Sequence, residues 1–133
     1  MSTIAKIMTK SPKSVGSGMS VASAAKTMRT ARVGSLFVKK GKQLVGIVTD
    51  TDIVRRAVST NKNLAKLTVE KIMTAPICTI EGNRSVGDAQ NMMGDLGVRH
   101  LAVTEAGVIV GILSVRDLLV YYQTYSEPKI TQD

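Results

Sequence analysis

An α+β fold, built from one strand–helix–strand–strand–helix unit written twice, is predicted by three observations. The first is self-similarity at an offset of 65 residues. Lys6-Ile7-Met8-Thr9 returns as Lys71-Ile72-Met73-Thr74, and Ser20 to Ala57 align without a gap on Ser85 to Tyr122, with eleven of 38 positions identical. Chance does not produce that register, so the chain is a tandem duplication. The second is that helical apolar spacing alternates, in both copies, with pairs of short apolar runs closed by a glycine turn. The third is size. The 133 residues, 44% of them hydrophobic, can build a core, but one copy of about 55 residues would bury too little apolar surface alone. Two copies packed through their sheets are therefore expected to share one core.

The elements follow in order within each copy. A short apolar segment after the proline, around Val15 in the first copy and Ile77 to Ile80 in the second, reads as a small strand. Ser20 and Ser85 then stand where a helix N-cap belongs. The helix that follows turns Val21, Ala24, Ala25 and Met28 to the core in the first copy, and Val86, Ala89, Met93 and Leu96 in the second. Gly97 suits the C-terminal stop of the latter. Two hairpins come next, Leu36–Val38 with Leu44–Val48 around Lys40-Gly41-Lys42, and Leu101–Val103 with Val108–Leu113 around Glu105-Ala106-Gly107. A second helix starts at Thr49 or Ser114. Residues 1–65 are read as the first repeat and 66–133 as the second, joined by the polar stretch Ser59–Leu67. The polar residues after about Tyr125 are expected to fray.

Composition narrows the function classes. Aromatic residues are 3% of the chain and Trp is absent, which nearly removes stacking platforms for single-stranded nucleic acid. The single Cys78 cannot form an internal disulfide and suits a reducing compartment. No apolar run reaches the length of a membrane span or a signal peptide, so a cytoplasmic protein is expected, with no membrane partner. The formal charge of +8 is uneven: residues 1–65 carry twelve Lys and Arg against two acids, and residues 66–133 carry six against eight. The first half therefore favours an anionic partner. With one His and one Cys, no metal-ligand set is formed. No Walker loop, dinucleotide fingerprint or nucleophile elbow is present.

The most informative segments are Gly46-Ile47-Val48-Thr49-Asp50-Thr51-Asp52 and its copy Gly111-Ile112-Leu113-Ser114-Val115-Arg116-Asp117. Both fit Gly-h-h-[Ser/Thr]-x-x-Asp, where h is apolar, at a strand-to-helix junction. Two readings are open. As a site, the glycine would let a ligand approach the backbone. The hydroxyl would then sit at a helix start that favours anions, and the carboxylate would accept hydrogen bonds from vicinal ribose hydroxyls. As a cap, the hydroxyl and carboxylate would hold the first helical turn and need no ligand. Duplication copies a cap as readily as a site.

Together with Met8-Thr9-Lys10-Ser11-Pro12 and Met73-Thr74-Ala75-Pro76, Ser-Val-x-x-Ala at the first helix, and Val-Gly-Ile-Val-Thr-Asp-Thr-Asp-Ile over residues 45–53, these segments resemble the CBS-domain family, whose paired repeats form a Bateman module. The resemblance runs from about Ile4 to Gln123. It implies two βαββα units facing each other about a pseudo-twofold axis, with two clefts that often take AMP, ADP, ATP or S-adenosylmethionine. By the same resemblance, Thr49 and Asp52 hold phosphate or sugar in one cleft, with Ile77 and Cys78 as its adenine wall. Ser114 and Asp117 serve the other, with Lys13 and Ser14. The strand starts Val33, Gly34 and Ser35, and Val98, Arg99 and His100, face such clefts, as does Ile112. Arg99 can offer phosphate a forked donor.

The expected function is a non-catalytic sensor that binds an adenosine ligand and acts on a separate regulated protein. No catalytic domain is expected on a chain whose length two repeats account for. The resemblance also implies a homodimer, modules pairing through their helices into a flat disk. A structural homodimer with empty clefts is one alternative. Nucleic-acid binding through the basic half is another, and its affinity would fall steeply with salt.

Overall fold

The computed structural model describes residues 2–125, so the polar C-terminal segment expected to fray lies outside the described residues. The element order is α1 (Ile4–Ile7), β1 (Thr9–Lys10), β2 (Ser14–Gly16), α2 (Val21–Ala31), β3 (Ser35–Lys40), β4 (Gln43–Thr49) and α3 (Asp50–Asp52), which continues as a π-helix over Ile53–Val58. A 3-10 turn at Val69–Lys71 precedes β5 (Thr79–Glu81), α4 (Val86–Leu96), β6 (His100–Glu105), β7 (Val108–Ser114) and α5 (Val115–Tyr125). The doubled strand–helix–strand–strand–helix order is the one the repeat predicts. No helix among the described residues is long and apolar enough to cross a membrane.

Two compact units form, and their boundaries are not those of the repeat. One unit is Pro12–Ile77; the other joins Met1–Ser11 to Cys78–Asp133. The sequence division at 65/66 marks the duplication, whereas packing is decided by where the lead-in segments go. Lead-in 1–11 belongs with the second copy's sheet, where Thr9 pairs antiparallel with Ile112 and Lys10 with Gly111. Residues 69–74, its duplicate, stay with the first copy's sheet through an antiparallel bridge between Thr74 and Ile47. Each copy completes the other copy's sheet.

Apolar residues at i and i+3 explain the attraction. Ile4 is fully buried in the core cluster of the 1–11/78–133 unit, with Ile7 packed against it, and Val69 and Ile72 take the equivalent places in the 12–77 unit. Burying an Ile or Val side chain contributes about 1.5–3 kcal/mol. The buried residues form two clusters, one within each unit. Ser59–Leu67 is not a free linker either. Leu64 and Leu67 pack on the 12–77 core, and their carbonyls accept the N–H groups of Ala22 and Val21.

Local chemistry sets the elements. Ser20 Oγ accepts the Ser23 N–H at 3.1 Å, and Ser85 Oγ the Asp88 N–H at 3.0 Å, so both serines cap as expected. Arg84, donating to Asp88 at 2.9 Å, holds that carboxyl below the usual carboxylate range, with the Ser85 N–H helping. Gly97 ends α4 at φ 68°, the left-handed stop its lack of a Cβ permits. Leu96 departs from the expected helix face and is 55% exposed.

Both hairpins bulge at the same place, after Val38 and after Val103, as duplicated strands should. Val38 and Val103, with Leu36 and Leu101, lie in the two core clusters. Phe37, Ile47, Ala102 and Ile112 are buried too but belong to neither cluster.

The glycine of Gly-h-h-[Ser/Thr]-x-x-Asp makes the lead-in contact possible. A Cβ on Gly46 would lie 2.5 Å from Met73 Sδ and 3.0 Å from the Thr74 carbonyl oxygen; on Gly111 it would meet Met8 Sδ at 2.5 Å and the Thr9 oxygen at 2.8 Å. The lead-in segments fill the space beside these two glycines. Gly111→Ala is predicted to push β1 off β7 and cost about 1–3 kcal/mol, lowering the urea midpoint at unchanged slope. Gly46→Ala should cost less, because the rigid carbonyl lies farther off there, at 3.0 Å against 2.8 Å, while the nearest atom at both positions is a flexible methionine Sδ at 2.5 Å. Equal midpoints for both variants and the parent would refute this account.

Candidate functional site

Each strand-to-helix turn is closed by its own side chains. In the 12–77 unit, the Thr49 N–H donates to Asp52 Oδ2 at 3.0 Å and the Asp52 N–H donates to Thr49 Oγ1 at 3.1 Å. In the other unit, the Ser114 N–H donates to Asp117 Oδ2 at 2.8 Å and the Asp117 N–H to Ser114 Oγ at 3.2 Å. These are reciprocal capping boxes with Asp in the acceptor place. The capping reading of the motif therefore holds in both copies, and any ligand must bind what the caps leave over.

They leave different amounts. Asp52 is 7% exposed, and its two oxygens also accept Thr74 Oγ1 at 3.4 Å each. Arg56 Nε lies 3.7 Å from Asp52 Oδ1, while its Nη1 donates to the Ile72 and Met73 carbonyls at 3.3 Å. Arg56 is thus the strap that ties carboxylate and lead-in together. Asp117 is half-buried and bonds only Ser114 among the described residues, so its Oδ1 is uncommitted. The counterpart of Arg56 there is Tyr121, which edges against Tyr122 at a ring-centroid distance of 5.4 Å.

The strand starts arrive beside these turns. The Asp50 N–H donates to the Gly34 carbonyl at 3.0 Å, and Ser35 stands opposite Thr49 in the ladder, with Val33 half-buried just before. Lys13 and Ser14 join the same unit: the Lys13 carbonyl accepts the Phe37 N–H at 3.0 Å, and Ser14 is in register with Phe37. In the other unit, the Val115 N–H donates to the Arg99 carbonyl at 2.9 Å, His100 stands opposite Ser114, and Val98 is half-buried. Cys78 accepts the Ala102 N–H through its carbonyl at 2.9 Å, and Ile112 is in register with Ala102. Ile77 is half-buried at the end of the 12–77 unit.

Charge separates the two turns further. Asp50 lies at the first one, its carboxylate 3.1 Å from where a Gly34 Cβ would be. The second has Val115 and Arg99 at those places, plus exposed Arg116 where the first has Thr51. The first turn thus has Asp50 and Asp52, with Arg56 against Asp52, and the second has Asp117 with Arg99 and Arg116 at the positions of Gly34 and Thr51.

Thr74, Arg56 and the Met8 and Met73 side chains are the participants that sequence reasoning left without a role. Their signal was the duplication itself, since Met-Thr recurs at the register that places it opposite the glycine. Asp52→Ala should therefore destabilise by about 2 kcal/mol, losing a cap and the Thr74 and Arg56 contacts. Asp117→Ala should cost only the cap, about 1 kcal/mol. Chemical denaturation of both variants checks the difference, and a larger loss at Asp117 would contradict it.

Comparison with known proteins agrees with this layout. The CBS-domain family profile matches residues 4–59 and again 69–124. An uncharacterized protein from Methanopyrus kandleri is 33% identical over 94 residues, covering 69% of this chain and 48% of that protein, so the match spans about half its length. A candidate signal-transduction protein with CBS domains from Burkholderia ambifaria MC40-6 is 28% identical, with a TM-score of 0.88 over 99% of this chain and 100% of the other. A hexameric CBS-CP12 protein from bloom-forming cyanobacteria is 25% identical, with a TM-score of 0.84 over 96% of this chain and 76% of that one. The two profile matches fall on the two copies of the duplicated unit, and the chain belongs to the CBS-domain family.

Proposed function

We propose that the chain is a non-catalytic regulatory module that binds an adenosine nucleotide and signals to a separate protein. The observation that carries this reading is the inequality of the two turns. Around Ser114, an uncommitted carboxylate oxygen on Asp117 is available to ribose hydroxyls, while Arg99 and Arg116 supply the charge that phosphate requires. Around Thr49, Asp52 is spent on Thr49, Thr74 and Arg56, and Asp50 adds a second negative charge. A phosphorylated ligand, AMP, ADP or ATP, is accordingly assigned to the Ser114–Asp117 turn with Arg99 and His100. S-adenosylmethionine, which bears no phosphate, would gain less from the two arginines.

Val98, half-buried, lies just before Arg99, and Ile112 two residues before Ser114. The Thr49–Asp52 turn, with Val33, Gly34 and Ser35, is proposed as a weaker second site. Binding transmits a signal only where it favours one arrangement of the module over another. A homodimer is the proposed assembly, in keeping with the hexamer formed by the CBS-CP12 relative.

The test is a thermal-shift panel of AMP, ADP, ATP and S-adenosylmethionine, with GTP as control. At a ligand concentration about a hundred times the dissociation constant, a ligand specific for the native state stabilises by about 2.7 kcal/mol, a midpoint rise of several degrees. An adenine nucleotide should give that shift, and Asp117→Ala or Arg99→Ala should abolish it. Asp52→Ala should lower the starting midpoint yet keep most of the shift. A panel flat for every ligand would overturn the reading and leave a structural dimer.

A further inference from the structure

The duplication provides an internal control: a residue required by the fold should recur 65 positions on, and one placed for another purpose need not. On the helical side of the 12–77 unit, α2 lies against the π-helical part of α3, and α4 lies against α5 in the other unit. Both sides expose an apolar residue at the same repeat position, Val54 at 59% and Leu119 at 64%. Each has a second such residue nearby, Val58 and Val120. Large exposed aliphatic side chains repeated on matched faces mark both faces as covered in the working protein.

The charges do not recur. Lys26, Arg29, Arg32 and Arg55 are exposed, make no ion pair among the described residues, and have Asn91, Gly94, Gly97 and Val120 as counterparts. Neither α2 nor residues 53–58 contain an acid, whereas α4 carries Asp88 and Asp95, the latter exposed. The 12–77 unit holds twelve Lys and Arg against three acids; the other holds six against seven. A face with apolar residues among unpaired cations disfavours its own copy and suits an apolar face without excess positive charge.

We propose that two copies pair unlike faces: the helical face of the 12–77 unit docks on the α4–α5 face of the partner copy, around Val54 and Leu119. The occupant is thus a second copy of this chain. Like-with-like pairing would set Arg29 and Arg55 against the same residues of the partner. The inference rests on the homodimer reading above and adds its polarity.

Two measurements test it. Val54→Cys and Leu119→Cys chains, each also carrying Cys78→Ser and a tag of distinct size, are treated with a short bis-maleimide alone and mixed. Cross-linking confined to the mixture supports unlike pairing. Self-cross-linking of either variant overturns the polarity while keeping the dimer. A sedimenting dimer that cross-links in no combination overturns the choice of faces, and a monomer at all concentrations overturns the dimer reading itself. In the second measurement, Arg29→Glu with Arg55→Glu should weaken the dimer about fivefold, and added salt should weaken the parent dimer. Unchanged or tighter association in either case overturns the proposal; added salt in particular would strengthen a like-with-like pair of cationic faces by screening its repulsion.

Discussion

Everything in this fold depends on a gap the size of one methyl group. Two β-strands can be approached closely by a third segment only where a side chain is missing, and Gly46 and Gly111 supply that absence at equivalent points. The methionine and the threonine carbonyl of each lead-in fill it. The Thr74 hydroxyl then reaches Asp52, which already holds the first turn of α3, and Arg56 closes the arrangement from the helix side. Backbone ladder, helix start and lead-in are thus one cooperative group, in which removing any member leaves a polar atom of the others short of a partner.

The sequence carried most of the architecture because duplication amplified weak signals. A lone Ser-Val-x-x-Ala is a poor helix start, but Ser20 and Ser85 appearing in one register with Val21 and Val86 behind them are decisive. What could not be read was the destination of the lead-ins. Lys6-Ile7-Met8-Thr9 precedes its own copy in the chain, and nothing local says that Thr9 pairs with Ile112, about a hundred residues away. The same non-locality hid the roles of Gly46 and Arg56. A glycine beside a ligand and a glycine beside a methionine look alike in one dimension. An arginine on a helix announces its charge but not the carbonyls it will meet.

The candidate site was legible as a list of residues and illegible as a ranking. Thr49 with Asp52 and Ser114 with Asp117 present the same spacing, and both form the same cap. Their difference comes from neighbours that the motif does not include: Thr74 and Arg56 saturate one carboxylate, whereas the other bonds only Ser114 among the described residues, and Arg99 and Arg116 stand where the first copy has Gly34 and Thr51. Divergence between duplicated sites is expected once one copy suffices for binding, because the second is then free to become structural.

The exchange of lead-ins also orders events in time. Residues 12–77 are contiguous, so every strand of that unit's sheet has been made once residue 77 has left the ribosome. The other unit does not: its buried Ile4 is made first, yet the strand that receives Thr9 and Lys10 is completed last. Domains emerging during synthesis fold as their parts become available, and pairing across so long a stretch of chain is slow. Residues 4–10 must therefore wait for their sheet, and a nascent chain stalled before residue 111 holds all the strands of one unit but not the strand on which the other closes.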